Sequence, residues 1–437
     1  MIVMKFGGTS LDDADQIRDV IDLVRARLDR QPVLVVSAHA GITNTLDRLA
    51  KKALDGPVDI EEIRVRHAEI LAGLGLAKDL LDDLLEELAS LLTGITLVKE
   101  LTARSLDYIH SFGERLSSRV IAAAFRKAGI PARALLAWDL GLVTDSAFGA
   151  ANPRKESYPR IRRSLETVTD LPVVTGYIAK DRDGNITTLG RSGSDFTAAI
   201  VGAAVGAEEI QIWTDVDGVM SADPRIVPGA RSVPRLSFHE ASELAYYGAK
   251  VIHPSTMIPA VEKGIPLRVL STLEPDHPGT VILGEPGDGG SAVKSIAQKR
   301  GLTLINVVST RMLLQHGFMA RLFEVFARHE IVVDMIATSE ISVSITTDSR
   351  RDVTPCVREL EDFAEVEVER DLAIVCLVGE GIRTQPGVTA RIFTTLKDAG
   401  VTTRMISVGA TKINVSFLVD EEHVETSVTA LHGAFFG

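Results

Sequence analysis

The stretch Thr187-Thr-Leu-Gly-Arg-Ser-Gly-Ser-Asp195 decides how the rest of the chain is read. A β-rich run, Leu171–Ile178, leads toward it, and Asp181-Arg-Asp-Gly184 has the composition of a tight hairpin turn. Ile186–Leu189 then returns as a second strand. Gly190–Gly193 forms a loop, Ser194 and Asp195 are good N-cap types, and Phe196–Ala204 is a helix-prone run. Strand, glycine loop and helix N-terminus together aim backbone N–H groups at a phosphate or a carboxylate. Arg191 adds a fork for a carboxylate, and Asp195 adds a negative charge able to align a lysine or a metal ion. The same stretch also fits an ordinary strand-to-helix connection with a surface arginine, so its surroundings must decide.

Upstream, Ile2–Phe6 is a short strand that carries Lys5 and stops at Gly7-Gly8-Thr9-Ser10. Asp12 or Asp13 can cap the next helix, whose apolar residues Ile17, Val20, Ile21, Val24 and Leu28 have helical spacing. Val33–Ser37 is almost continuously apolar, as in a strand of a parallel sheet covered on both faces. It opens into Ala38-His-Ala-Gly-Ile-Thr-Asn44 and another helix, a βαβα start that predicts an α/β sandwich. Residues 57–128 read as mostly helical, with Lys99–Ile109 and Leu116–Lys127 joined through Ser111-Phe-Gly-Glu-Arg115 and Gly113 interrupting the helix. Short strands are expected near 133–136 and 142–144, then a loop over 144–155.

Downstream, Glu209–Trp213 is a strand ending in Thr214-Asp-Val-Asp-Gly-Val219. Helices are expected over Ser237–Tyr247 and Ala249–Lys263, with Gly248 between them, and Pro266–Leu270 as a last strand. Residues 274–290 are rich in Pro and Gly, which places a domain boundary there. Beyond it lies an internal repeat. Gly317, Ala320-Arg321, Phe323 and Met335-Ile336 recur 70 residues later as Gly387, Ala390-Arg391, Phe393 and Met405-Ile406. Shared spacing across a helix and a strand predicts two small βαββαβ modules.

Composition narrows the function classes. A chain of 437 residues needs two or three domains. A formal net charge of −12, with no basic cluster to offset it, argues against general nucleic-acid binding. Cys356 and Cys376 give neither a disulfide framework nor a zinc pattern and read as core residues. No apolar run is long enough to span a bilayer, and the expectation is a cytoplasmic protein. There is no Gly-Lys dipeptide and hence no Walker A loop. His239-Glu240 is followed by Glu243 where a zinc-protease helix needs histidine.

Lys5–Ser10, Ser37–Asn44, Ser111–Arg115, Gly190–Asp195, Trp213–Gly218, Asp223-Pro-Arg225 and Gly248-Ala-Lys-Val-Ile-His-Pro254 occur here in one order. Together they resemble aspartate kinase, a member of the amino-acid kinase superfamily, and the C-terminal repeat resembles its paired ACT regulatory modules. The Ser37–Asn44 loop and Thr338-Ser-Glu340 are most similar to the lysine-sensitive, single-function type. The resemblance implies a three-layer α/β/α sandwich over residues 1–285. A regulatory region of two ferredoxin-like ACT modules would follow over 291–437, at about 301–370 and 371–437 or interleaved.

The resemblance further implies ATP-dependent phosphorylation of the L-aspartate β-carboxylate to 4-phospho-L-aspartate, the first step of lysine, threonine and methionine biosynthesis. Lys5 and Asp195 would be catalytic. Thr43, Glu114, Arg191 and Ser194 would bind aspartate, with Glu114 on the ammonium and Arg191 on the α-carboxylate. Lys5, Gly7, Gly8, Ser10, Thr214, Asp215, Met220, Arg225 and Lys250 would meet ATP. Mg2+ would arrive with the nucleotide, held by phosphates and water rather than by a cage of protein ligands. Lysine is the implied effector, bound by Met312, Gln315, Phe318, Met319, Val333, Asp334, Thr338, Ser339 and Glu340, in a homodimer or higher homo-oligomer formed through the ACT modules.

Some positions depart from the family pattern. Ser192 stands where a second glycine is usual, with strain of roughly 1 kcal/mol if that position needs φ > 0. Met220 replaces a frequent aromatic, Gln315 a smaller hydroxyl residue, and His39 reads as a loop residue without a partner. Two other functions remain open: a glutamate-type amino-acid kinase, and a non-catalytic amino-acid sensor on the same scaffold.

Overall fold

Strand alternation in the first seven residues sets the layout of the catalytic half. In the computed structural model, residues 1–248, 252–284, 291–312, 316–409 and 413–437 are described. The first strand, β1 (Ile2–Phe6), sends Ile2, Met4 and Phe6 into one large apolar core. Its alternate residues Val3 and Lys5 face the opposite layer.

β2 (Pro32–Val36) is buried at every residue, as a central parallel strand should be. β3 (Ala132–Leu135), β4 (Leu171–Thr175), β7 (Ile210–Thr214), β8 (Arg235–Ser237), β9 (Leu267–Ser271) and β10 (Thr280–Leu283) complete the sheet in the order β3-β4-β2-β1-β7-β9-β10-β8. Neighbours are parallel except β9 and β10. β5 (Ile178–Lys180) and β6 (Ile186–Thr188) form a separate hairpin through the expected Asp181–Gly184 turn. Helices Ala14–Arg25, Ile42–Lys52, Glu61–Leu74, Asp82–Val98 and Ala103–Lys127 cover one face. Helix Gly193–Val205 lies against β1 on the other, flanked by Ser157–Leu165 and Pro254–Glu262. This is the expected three-layer sandwich.

Three local expectations are corrected. Ala103–Lys127 is one continuous helix of 25 residues, so Gly113 does not break it. Glycine is needed there for close approach, because a Cβ at Gly113 would come 2.7 Å from that of Ala38. Pro266–Leu270 is not the last strand of the sheet, since β10 follows within the Pro- and Gly-rich stretch. Residues 142–144 form only isolated bridges, Val143 with Lys180 and Thr144 with Pro153.

The second unit is built on an antiparallel six-stranded sheet of β11 (Ser295–Val308), β12 (Val333–Thr338), β13 (Ser342–Asp348), β14 (Glu365–Val378), β15 (Met405–Val408) and β16 (Asn414–Asp420), in the order β12-β13-β11-β14-β16-β15. Its register reveals how the two modules are connected. The second half of β11 pairs with β13 and with the first half of β14, giving a four-stranded module with strand order 2-3-1-4. The second half of β14 pairs with β16 and with the first half of β11, giving the same order again. The fourth strand of the second module therefore precedes the first module in the chain, and the two are interleaved. The repeat has a conformational basis: Gly317 and Gly387 are the N-caps of helices Phe318–Arg328 and Val388–Asp398, with φ of 87° and 88°.

The division into compact units differs from the boundary expected near residue 285. Residues 1–219, 234–238 and 251–285 form the first unit, and 220–233, 239–250 and 286–437 the second. Ala222 and Val227 pack in the core of the second module, and Ser221 hydrogen bonds His432 at 2.9 Å. Glu240 pairs with Lys294 at 2.8 Å. These are contacts between residues distant in sequence, which local composition does not encode.

Candidate active site

All strands from β3 to β9 in the sheet order are parallel, so the loops after β1, β2, β4 and β7 share one edge, the edge at which open α/β sheets bind ligands. β1 sits where the strand order reverses, between β2 and β7. Lys5 is the penultimate residue of β1, on the face covered by helix Gly193–Val205. Its Nζ is 2.7 Å from Asp195 Oδ1, and the two side chains are only 12% and 10% exposed. The carboxylate fixes the ammonium at the strand end without covering it.

The chain then turns sharply. Gly7 N–H donates to Trp213 O at 3.3 Å, and Gly8–Ser10 form a single 3-10 turn closed by Leu11. A Cβ on Gly8 would lie 2.7 Å from Ala38 O, so the turn after β1 rests directly on the loop after β2. Ser10 is buried, with its hydroxyl 3.2 Å from that of Thr272.

Ala38 also touches the third part of the site. Its N–H donates to Glu114 Oε1 at 3.2 Å. Glu114 is 3% exposed, its Oε2 has no partner among the described residues, and burial pushes its carboxyl up to about 8. Spacing alone would leave Glu114 as an exposed carboxylate beside Arg115. Arg115 instead pairs with Glu87 at 2.6 Å, and Glu114 makes no ion pair among the described residues. A buried carboxylate with a free oxygen is a receptor for a cation. Thr43 lies alongside, its hydroxyl 3.7 Å from where a Cβ of Gly113 would be.

The loop before helix Gly193–Val205 differs from the expected capping. Its N-cap is Ser192, with φ 53° and ψ 31°, and Ser194 and Asp195 belong to the first turn. Serine therefore occupies a left-handed conformation that favours glycine. Ser194 is buried against Gly176 at the end of β4, while Arg191 is exposed and makes no ion pair among the described residues. The arginine remains available at the rim, beside the helix N-terminus.

Thr214 ends β7 and Asp215 follows it, with the threonine hydroxyl donating to the Asp215 carboxylate at 3.0 Å. Met220 and Arg225 belong to the second unit. Met220 bridges to Ser232, and Arg225 is 89% exposed and paired with Asp223 at 2.6 Å. Lys250 lies outside the described residues.

Several participants were not foreseen. Tyr177 holds φ 62°, donates its N–H to Thr197 Oγ1 at 3.0 Å, and has its hydroxyl 3.4 Å from His110 Nδ1. Asp107 is buried and accepts from the N–H groups of Gly149 and Thr188 and from the Thr188 hydroxyl, all within 2.9 Å. It ties helix Ala103–Lys127 to β6 and so sets the height of Glu114. The glycine and threonine spacing carried no sign of this. His39 is corrected as well: it is buried, and its ring bonds Leu11 O at 2.5 Å.

In the second unit, the residues expected to hold an effector separate into three groups. Phe318 is a core residue, edge-on to Phe363, and Met312, Met319 and Val333 pack against that core. Asp334 is not a solvated strand-end carboxylate: it pairs with Lys299 Nζ at 2.5 Å, accepts from Tyr246 at 3.2 Å, and keeps one oxygen unpartnered among the described residues. Thr338, Ser339 and Glu340 are exposed at the turn between β12 and β13, where Ser339 and Ser342 bond each other. Gln315 lies outside the described residues.

Known proteins resemble both parts of the chain. Residues 1–271 match the amino acid kinase family, and 305–362 and 375–435 match the ACT domain. Aspartokinase 2, chloroplastic, of Arabidopsis thaliana is 40% identical over 457 residues, covering 99% of this chain and 84% of the relative. Lysine-sensitive aspartokinase 3 of Escherichia coli K12 is 35% identical over 457 residues, covering 100% and 99%. Among solved structures, E. coli aspartokinase III in complex with aspartate and ADP superposes with a TM-score of 0.82 at 32% identity, over the whole of both chains. The same protein in complex with lysine and aspartate gives 0.82 at 33%, again over both whole chains. With an amino acid kinase match over residues 1–271, ACT matches over 305–362 and 375–435, and aspartokinase relatives 35–40% identical along the whole chain, the chain belongs to the amino acid kinase family, among its ACT-bearing aspartokinases.

Proposed function

We propose that this chain transfers the γ-phosphoryl group of ATP to the β-carboxylate of L-aspartate in the cytoplasm and is inhibited by lysine. The carrying observation is Glu114. A buried carboxylate with one unpartnered oxygen, held through Ala38 against the glycine turn that follows Lys5, calls for a substrate with an ammonium close to the transferring phosphoryl group. An amino acid with a side-chain carboxylate meets that requirement, and Arg191 at the rim suits its α-carboxylate.

ATP enters as its magnesium complex, with the metal on phosphate oxygens and water. A β-carboxylate oxygen attacks the γ-phosphorus, the bond to the β,γ-bridging oxygen breaks, and ADP leaves with that electron pair. No proton moves, and no covalent enzyme intermediate forms. Catalysis is therefore positioning and charge neutralisation. Lys5 meets the charge on the transferring group, Asp195 holds Lys5 on line, and the Gly7–Gly8 turn lets backbone N–H groups approach the phosphates. Thr43 and Ser194 add hydroxyl bonds to the amino acid. Thr214, Asp215, Met220, Arg225 and Lys250 are the nucleotide residues of this reading.

For regulation, the lysine complex of the E. coli neighbour supports lysine as the effector. Gly317 opens a helix whose N–H groups suit an α-carboxylate. Asp334 already holds the ammonium of Lys299, so an effector's ammonium would take over a place that a chain lysine fills. Homo-oligomerisation through the ACT modules belongs to the same reading. ADP release, measured with aspartate and with glutamate while lysine and threonine are titrated, tests the substrate and the effector. Turnover on aspartate, inhibited by lysine in the wild type and released in Asp334→Asn, is expected. Preference for glutamate would remove the substrate assignment, and lysine inhibition unchanged in a folded Asp334→Asn would remove the pocket.

A further inference from the structure

We propose that His39 is a positioning residue, tying the turn after β1 to the loop after β2 and so fixing the gap across which the phosphoryl group travels. This rests on the aspartate kinase reading above. His39 is 1% exposed, and its Nδ1 is 2.5 Å from Leu11 O. A carbonyl only accepts, so Nδ1 carries the proton and Nε2 is bare. That Nε2 has no partner among the described residues. The ring is packed edge-on to His67, with centroids 5.3 Å apart, and His67 spends its own Nδ1 on Ile63 O in its own helix. Burial holds His39 down to about 3, so it stays neutral and keeps this single bond. A bare buried ring nitrogen costs stability. A leucine would fill the same space without that cost, so the proton on Nδ1 is the part of the ring with a use.

Both ends of the bond reach the reacting groups. Leu11 closes the Gly8–Ser10 turn through its N–H to Gly8 O at 3.1 Å. On the other side, His39 O accepts from Ile42 N at 3.1 Å, starting the helix that carries Thr43, and the preceding Ala38 N–H holds Glu114. One imidazole therefore lies between the phosphate-facing turn and the amino-acid-facing wall. In-line transfer needs reacting atoms held within about 3–3.5 Å, and misplacement by about 1 Å can cost a hundredfold in rate.

The test compares His39→Leu, His39→Asn and His67→Leu. Asparagine keeps an N–H donor at the reach of Nδ1, leucine keeps the volume alone, and His67→Leu disturbs the same packing without touching the tether. His39→Leu is expected to lose about tenfold or more in kcat, with both KM values within about threefold. Asparagine restores most of the loss, and His67→Leu lowers Tm but leaves kcat at the wild-type value. His39→Gln, whose amide reaches the wrong place, replaces leucine if that variant does not fold. Hydrogen exchange provides a readout that needs no turnover: residues 7–11 and 38–42 lose protection together in His39→Leu and keep it in His67→Leu. Equal kcat losses in His39→Leu and His67→Leu, no rescue by asparagine, or loosening of one loop alone would overturn the tether. A wild type that phosphorylates no aspartate, yet shows the coupled exchange, would overturn the enzyme reading and leave the tether standing.

Discussion

Replacing Glu114 by glutamine separates charge from shape at the centre of the site. Glu114 is 3% exposed, accepts the Ala38 N–H and has a second oxygen without a partner among the described residues. Burial raises its carboxyl from 4.5 to about 8, so at pH 7 only about one free molecule in ten carries the charge that an ammonium requires. Aspartate binding then has to expel a proton, and kcat/KM for aspartate should climb about tenfold per pH unit below 8 and level above it. A charge-assisted bond in a buried site contributes about 1.5–3 kcal/mol, so Glu114→Gln should raise KM for aspartate about 10- to 150-fold above pH 8. At pH 7 the wild type bears the cost of proton release, so the ratio between the two should narrow. The assay is steady-state ADP release between pH 6 and 9.

Stability must move in the opposite direction. A folded-state value raised from 4.5 to about 8 contributes stability that is complete below about 4.5 and is lost as pH rises through about 8. Glutamine abolishes that loss, so the variant should melt above the wild type at pH 8.5 and level with it at pH 5. A flat pH profile for wild-type kcat/KM, together with a KM for the variant within twofold of wild type, would refute the role assigned to Glu114.

Lys5→Ala should remain folded and lose roughly 10²–10³ in kcat, read by the same assay, because it removes the charge fixed by Asp195 at the strand end; near-normal turnover sinks the assignment. Arg191→Lys keeps the charge but not the planar fork, so KM for aspartate should rise more than KM for ATP; movement of the ATP value alone would put the arginine on the nucleotide side. Ser192→Gly relieves a left-handed serine at φ 53° and should raise the urea midpoint by an amount equivalent to about 0.5–1 kcal/mol. A lowered midpoint there would mean that the hydroxyl has a bonding role.

The parts of the molecule legible in the sequence are those written in local periodicity. The apolar runs of β1 and β2, the Asp181–Gly184 turn and the repeated glycines at 317 and 387 each occupy the element their spacing predicts. Gly113 was misread because a glycine inside a helix signals a break and a close approach equally well; the neighbour that requires it, Ala38, is 75 positions away. Non-locality explains the rest. The burial of Glu114 depends on Asp107 anchoring its helix to Thr188, and the bond from His39 to Leu11 joins two different loops. Segments 220–233 and 239–250 join the second unit through Ser221–His432 and Glu240–Lys294, pairs that no window of neighbouring residues contains.

The crossed wiring of β11 and β14 has a consequence on the ribosome. Residues 295–299 emerge first, yet the strand they pair with, 374–378, is made about eighty residues later. At about 5–20 residues per second, several seconds separate the two. The inserted module, closed by β11 and the first half of β14, can complete itself within that interval, whereas the outer one must wait with its first-made strand unpaired. An unpaired strand edge is a template for pairing with other chains. Synthesis rate through residues 300–375 thus becomes a variable in the yield of native protein, and codon substitutions there that leave every amino acid unchanged can alter how much of it reaches the folded state.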